Sequence, residues 1–166
     1  MAISRLNHAV LYVRDAAASA KFYVDILGFK IAVEFPGAAF LRTSDTTPND
    51  HDLGLFSVGA GAAPSAAGRQ SVGLYHLAWE VPTLAEMLVL REKLQSVGAL
   101  VGESDHGESK SLYGQDPDGI EFELVWAVPA DRIDPSLDEF GTKPIDWTTT
   151  VARFGADTPG RNTYVH

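Results

Sequence analysis

Residues 73–81 read GLYHLAWEV, and residues 6–13 read LNHAVLYV. Leu74, Leu77, Ala78, Trp79 and Val81 give the first stretch the apolar mass of a buried strand. His76 stands in its middle. His8 stands in the same setting in the second stretch, two residues after a leucine, as His76 follows Leu74. Two strands with a matched histidine imply a duplicated unit, and internal duplication decides a fold before any local propensity does. A polar group repeated on one face of each unit implies a shared site.

Working outward from His8, residues 5–13 alternate as a strand. Asp15 is placed to cap a helix over AAASAKFYVDIL, with Phe22 and Ile26 one turn apart on one face and Gly28 to end it. Apolar runs at 29–35 and 38–43 are split by Pro36-Gly37, a turn signal. SDTTPND is a loop, and HDLGLFSV (51–58) is a further strand. The order is β-α-β-β-β. GAGAAPSAAGRQS (59–71) has the composition of a linker. After it the pattern restarts: strand 73–81, a capping box over Thr83–Glu86, a helix to about Val97, and a short strand ALVG (99–102). A polar loop, ESDHGES, leads to KSLYGQ, the DPDG turn (116–119) and a last strand IEFELVWAV (120–128). The expected architecture is α+β. Two βαβββ units (5–58 and 72–128) share one domain spanning 1–128 and form a curved mixed sheet around a cavity. The proline-containing extension 129–166 is expected to wrap the surface or reach a partner subunit.

The chain has 166 residues, a net charge of -9 and no cysteine. One domain of this length buries a sizeable core. The acidic balance argues against nucleic acid or an anionic membrane as partner. Disulfides, thiolate metal sites and cysteine nucleophiles are excluded. MAISRLNHAV lacks the apolar run of a signal peptide, and the chain has no run of membrane length. The expected setting is the cytoplasm.

Side chains alternate across a strand. In 73–81, Tyr75, Leu77, Trp79 and Val81 form an apolar face suited to a helix layer, so His76 points the other way. In 120–128, Ile120, Phe122, Leu124 and Trp126 form the apolar face, which leaves Glu121, Glu123 and Val125 on the opposite one. His8 shares a face with Val10 and Tyr12. If the two units curl around one cavity, His8, His76 and Glu123 can converge there. Two histidines and one carboxylate with open positions suit Fe(II), and also Mn, Zn or Ni; this is the facial-triad ligand set of non-haem iron oxygenases. A single strand histidine is more often a hydrogen-bonded structural residue than a ligand. The matched pair together with a carboxylate outweighs that reading. Glu121 is the rival carboxylate, nearer the turn. His166, as the last residue, carries no role, and ESDHGES is most simply a solvated loop.

The stretch 5–127 resembles the vicinal oxygen chelate superfamily. That superfamily includes glyoxalase I, methylmalonyl-CoA epimerase, fosfomycin-resistance proteins, bleomycin-binding proteins and type I extradiol dioxygenases. The resemblance rests on the paired βαβββ units, the LxH openings of both, FYxDxLGF (22–29) and LYGQDPDGIEFE (112–123). Within it the chain looks most similar to the extradiol ring-cleavage enzymes. That resemblance implies His8, His76 and Glu123 as metal ligands and His51, which opens the strand HDLGLF, as acid/base. It implies Tyr113, ten residues before Glu123, as the group that bonds a substrate oxygen, and His106 as a further pocket histidine. The interval from His106 to Tyr113 is shorter than in the large enzymes, and those enzymes carry two such domains where this chain has one.

The implied function is Fe(II)-dependent cleavage of a catechol-like aromatic diol by O2, in a homodimer. The alternatives are a glyoxalase- or epimerase-type lyase or isomerase and a non-enzymatic drug-binding protein. The lyase and isomerase relatives take a fourth ligand from the last strand of the first unit. The candidates with the parity of His51 are Leu53 and Leu55, which cannot ligate, and Asp52 has the other parity. Drug-binding relatives lack the triad. Fosfomycin-type transferases would need a cationic pocket, for which Arg42 and Lys110 are the candidates.

Overall fold

The computed structural model describes residues 3, 5–67, 70–133 and 141–161. It divides into two compact units, Met1–Ser65 with Asp116–Gly119, and Ala66–Gln115 with Ile120–His166. Each carries one four-stranded mixed sheet, so the expected α+β class is observed as two sheets, one per unit.

In the first unit, β1 (Ala9–Val13) leads to α1 (Ala16–Asp25), then β2 (Lys30–Phe35), β3 (Ala38–Arg42) and β4 (Leu53–Ser57). The sheet order is β1-β4-β3-β2. β1 and β4 are parallel, and the other neighbours are antiparallel. A parallel pair needs a long crossover, which α1, β2 and β3 supply. Asp15 caps α1 by accepting from the backbone N–H groups of Ala17 and Ala18. Leu11, Val13, Ala39, Leu41, Leu53 and Leu55 are buried. They share the sheet face toward α1, whose buried residues are Ala16, Ser19, Ala20 and Tyr23. The expected Phe22/Ile26 stripe is therefore displaced. Small residues at 16, 19 and 20 let the helix sit close, and Tyr23 becomes its one large anchor. The Tyr23 ring stands edge-on to Phe29 at 5.5 Å, and its hydroxyl donates to Asp116 at 3.5 Å. Burial and the charge of Asp116 push its pKa well up.

In the second unit, β5 (Leu77–Glu80), α2 (Leu84–Ser96), β6 (Leu100–Asp105), β7 (Ser109–Gln115) and β8 (Glu121–Ala127) repeat the order β5-β8-β7-β6, with β5 and β8 parallel. Thr83 accepts from the Glu86 N–H, half of the expected capping box; its hydroxyl donates to the Glu86 carboxylate. Leu112, Phe122, Leu124 and Trp126 are buried with Leu84, Met87 and Leu94 of α2. Each such side chain removed from water stabilises the unit by about 1.5–3 kcal/mol. Gly114 faces Phe122 across β7 and β8 in direct register.

Two boundaries differ from the sequence reading. β5 begins at Leu77 and β1 at Ala9, so His76 and His8 each stand one residue before a strand and not in its middle. β6 runs to Asp105 and takes Glu103, Ser104 and Asp105 out of the expected loop. The extension makes this possible. Lys143 and Asp105 exchange both backbone hydrogen bonds at 2.9 Å, and Glu103 is held by Arg91 and by the Trp147 indole N–H. These partners hold the Glu103 carboxyl below the usual carboxylate range against the opposing effect of burial. After a 3₁₀ turn, Ala130–Arg132, the extension forms α3 (Trp147–Phe154). Phe154 is buried, with its ring 5.5 Å from Trp126. Among the described residues no helix is long and apolar enough to cross a membrane.

Candidate active site

The first unit gathers two of the expected residues. His8 precedes β1, and His51 precedes β4, the parallel neighbour of β1. Their rings lie 4.5 Å apart. Phe40 of β3 stands edge-on to His51 at 4.8 Å. The loop between β3 and β4 is organised by Asp52, the residue set aside as a ligand because its parity differs from that of His51. Asp52 accepts from the Thr43 N–H and hydroxyl, the Thr47 hydroxyl and the Asn49 amide. Burial acts to raise its pKa, but these four hydrogen bonds prevail and hold it below its ordinary value.

The parity argument for β4 needs correction. His51 lies outside the strand, and its ring joins the face of Phe40. Leu53 and Leu55 are fully buried on the α1 side instead. The β4 residues that share a face with Val10 and Phe40 are Gly54 and Phe56, as the register Val10↔Gly54, Phe40↔Gly54 and Tyr12↔Phe56 requires. A Cβ on Gly54 would already touch Phe40 and Val10 at 3.4 Å. Neither Gly54 nor Phe56 can ligate, so β4 contributes no fourth donor to that face.

The second unit gathers the rest. His76 Nε2 lies 3.0 Å from Glu123 Oε2. Among the described residues, buried His76 Nδ1 has no hydrogen-bond partner. Tyr113 and Glu123 are direct cross-strand partners. Opposed residues point to the same face and are close enough to interact. His106, just after β6, puts Nε2 3.0 Å from the Tyr113 hydroxyl. The His76 and Tyr113 rings are 5.9 Å apart, and Tyr75 lies against His76 at 4.6 Å. Burial, the charge of Glu123 and a hydrogen bond to it push the Tyr113 pKa up to about 12. Tyr113 is therefore a neutral phenol near pH 7, and its hydroxyl donates a hydrogen bond to Glu123. His106 Nε2 shares a hydrogen bond with the same Tyr113 oxygen. Gly102 in β6 faces Tyr113, where a Cβ would lie 3.4 Å from the ring.

The expected ligand set thus falls in two parts. His8 belongs to the first unit, and His76 and Glu123 belong to the second. Within either unit, among the described residues, no group of three or more histidines and carboxylates stands ready to hold a metal. The second unit's pair suits a metal ion on its own geometry. Two donors about 2.1 Å from one ion at right angles lie about 3.0 Å apart, given ordinary N and O ligand distances, and that is the separation of His76 Nε2 and Glu123 Oε2. The donor types, imidazole and carboxylate, suit Fe(II), Mn or Zn. Lys110, one of the two candidate cations for a phosphonate pocket, lies on the helix side of β7, 3% exposed and paired with Asp105 at 2.6 Å. Arg42 is engaged with the Asp50 carbonyl.

Residues 5–124 match the family described as Glyoxalase/Bleomycin resistance protein/Dioxygenase superfamily. The chain is 34% identical over 137 residues to biphenyl-2,3-diol 1,2-dioxygenase 3 of Rhodococcus globerulus, covering 78% of this chain and 68% of that one. It is 27% identical over 121 residues to catechol-2,3-dioxygenase of Bacillus subtilis (strain 168), covering 73% of this chain but only 41% of that relative. Among solved structures, a glyoxylase/bleomycin resistance protein/dioxygenase domain from Frankia sp. EAN1pec superposes with a TM-score of 0.62 at 24% identity, over 80% of this chain and 98% of that one. At that identity the likeness concerns the fold alone.

Proposed function

The chain belongs to the glyoxalase/bleomycin resistance protein/dioxygenase superfamily, and we propose that within it the protein is an Fe(II)-dependent extradiol dioxygenase acting on a catechol-like aromatic diol and O2. The reading treats residues 1–128 as one catalytic module and 129–166 as its extension. His8, His76 and Glu123 would hold the metal. It also carries the sequence-derived expectations of a homodimer and a cytoplasmic setting. Relatives named as diol dioxygenases support it.

The observation that carries it against the lyase and isomerase alternatives is the pair Gly54 and Phe56. No residue within β4 offers a donor side chain on that face, and with His51 kept for proton transfer the reading takes a ligand set of three, which would leave open positions for two substrate oxygens and for O2. Fe(II), when bound, supplies a Lewis acid for the diol oxygens and electrons for O2.

The chain's own groups supply the proton chemistry. His51 is the general base that takes a diol proton on a ring nitrogen and returns one after O2 has reacted. An imidazole suits both tasks because its ordinary pKa lies near neutrality. Tyr113 stays a phenol and donates to a substrate oxygen in exchange for its hydrogen bond to Glu123. His106, 3.0 Å from the Tyr113 oxygen, helps to hold the hydroxyl in place. Tyr75 beside His76 offers a flat apolar wall to an aromatic ring.

The test is to load the apo-protein with Fe(II) under anaerobic conditions and follow oxygen uptake on a panel of catechols, including 3-substituted and bicyclic diols. Iron-dependent uptake with a yellow ring-opened product, absent in His76→Ala, is the expected result. Tight metal binding lost in His76→Ala, with no uptake on any diol, would keep the site and refute the chemistry.

A further inference from the structure

A histidine can ligate a metal only through the ring nitrogen that carries no proton, so its tautomer decides which atom faces the ion. Metal-binding histidines are set by the partner of the other nitrogen. His8 has such a partner. Its Nδ1 lies 2.7 Å from Asn7 Oδ1.

The direction of that hydrogen bond follows from a chain that ends on a carboxylate. Asp52 is ionised and accepts only. It therefore takes a hydrogen from Asn49 Nδ2, at 2.6 Å. The second hydrogen of the same Nδ2 goes to the Asn7 backbone carbonyl at 2.8 Å. With its nitrogen committed twice, Asn49 must present its carbonyl to Asn7, whose Nδ2 donates to Asn49 Oδ1 at 3.2 Å. Asn7 is then oriented in turn, with Nδ2 toward Asn49 and Oδ1 toward His8. An amide oxygen only accepts, so His8 Nδ1 must donate. Amide orientations are ambiguous when taken singly. Here each is set by the one before it, starting from a group that cannot donate. Asn49 and Asp52 are each only 8% exposed, so bulk water competes little for the bond between them, while Asn7 and His8 themselves are exposed.

We propose that Asn7 is a positioning residue: anchored by Asn49 on Asp52, it fixes His8 as the Nδ1–H tautomer, so that Nε2 is the atom offered to a metal. The same anchor sits beside His51 in sequence. The proposal rests on the reading of His8 as a ligand, but the tautomer is a property of the metal-free chain.

The experiment uses the full chain with ring-labelled histidine. In the metal-free wild type, ring ¹⁵N NMR should show His8 with a protonated Nδ1 and a bare Nε2. Asn7→Ala removes the acceptor and should spread His8 over both tautomers. Asn7→Asp keeps an acceptor for Nδ1 but sets a carboxylate oxygen against Asn49 Oδ1, so it should restore the Nδ1–H form only in part. A circular dichroism spectrum matching wild type confirms that each variant is folded. Anaerobic Fe(II) titration should then show affinity about 10–100-fold weaker in Asn7→Ala, the usual effect of losing such a partner. The proposal is overturned if wild-type His8 carries its proton on Nε2, or if Asn7→Ala leaves the tautomer unchanged. Full Fe(II) affinity in His8→Ala would instead defeat the ligand reading of His8 and leave the tautomer assignment to stand on the NMR result.

Discussion

Gly114 offers a sharp test of how the site is held. It lies in β7 between Tyr113 and Gln115 and faces Phe122 across the ladder. A Cβ built there would lie 2.4 Å from Phe122 Cζ and 2.7 Å from Cε2. Carbon atoms rest at about 3.5–4.0 Å, so Gly114→Ala demands a shift of about 1 Å. Phe122 is 1% exposed, and its ring has no vacant space to swing into. Overpacking of this kind costs about 1–3 kcal/mol. For a chain of this size that lowers Tm by roughly 2–4 °C per kcal/mol. The displaced strand also carries Glu123 next to Phe122, so the His76–Glu123 spacing should open and metal affinity should fall with stability. Urea and thermal unfolding measure the first effect, and Fe(II) titration the second. Gly61→Ala is the control: nothing lies within 4 Å of its Cβ and its φ is not positive, so it should melt at or slightly above wild type. If Gly114→Ala melts with Gly61→Ala, the packing argument for β7 and β8 is wrong.

Three further outcomes follow from the same geometry. Tyr113→Phe should lower kcat for ring cleavage at least tenfold while Fe(II) affinity stays within about threefold of wild type; equal losses in both would show that the hydroxyl supports Glu123 and not the substrate. Asp52 has a lowered folded pKa, so its contribution to stability is complete above the unfolded value of about 3.9 and is lost as pH falls through the folded one. Asp52→Asn should therefore be less stable than wild type at pH 7 in urea, with the two curves converging as pH falls below the unfolded value and through the lowered folded one; a difference that stays constant as pH falls would show that its charge is irrelevant. Trp147→Phe removes the N–H that Glu103 accepts and should cost about 1.5–3 kcal/mol, the range for a hydrogen bond to a charged group. Hydrogen exchange should quicken first in β6.

Much of this was legible in the sequence, and the reasons are physical. Strong alternation in IEFELVWAV placed Phe122, Leu124 and Trp126 inward and Glu123 on the other face, as observed. The turn DPDG and the cap at Asp15 acted locally and read correctly for the same reason. The β6 boundary did not, because Glu103 and Asp105 are polar enough to read as loop and become strand only through Lys143, Arg91 and Trp147 far along the chain. The inward set of β4 was misread because parity counted from His51 assumes an unbroken strand, and the strand starts two residues later. Asp52 was invisible as a hub: its four partners come from Thr43, Thr47 and Asn49, a loop whose composition signals only that it turns. The helix face of α1 was misjudged by size, since alanines and a serine decided it by letting the helix approach.

The placement of the site residues has a consequence for how such a scaffold can change. His8, His51, His76 and His106 all stand just outside the strands, where a residue owes little to the hydrogen-bond ladder. Glu123 and Tyr113 stand inside it, opposite each other. On the proposed reading, exchanging the outer four would alter donors and proton carriers with little loss to either sheet. Exchanging the inner two touches a cross-strand pair in the middle of β7 and β8. An engineer seeking new chemistry on this frame would vary the strand mouths and leave that inner pair alone.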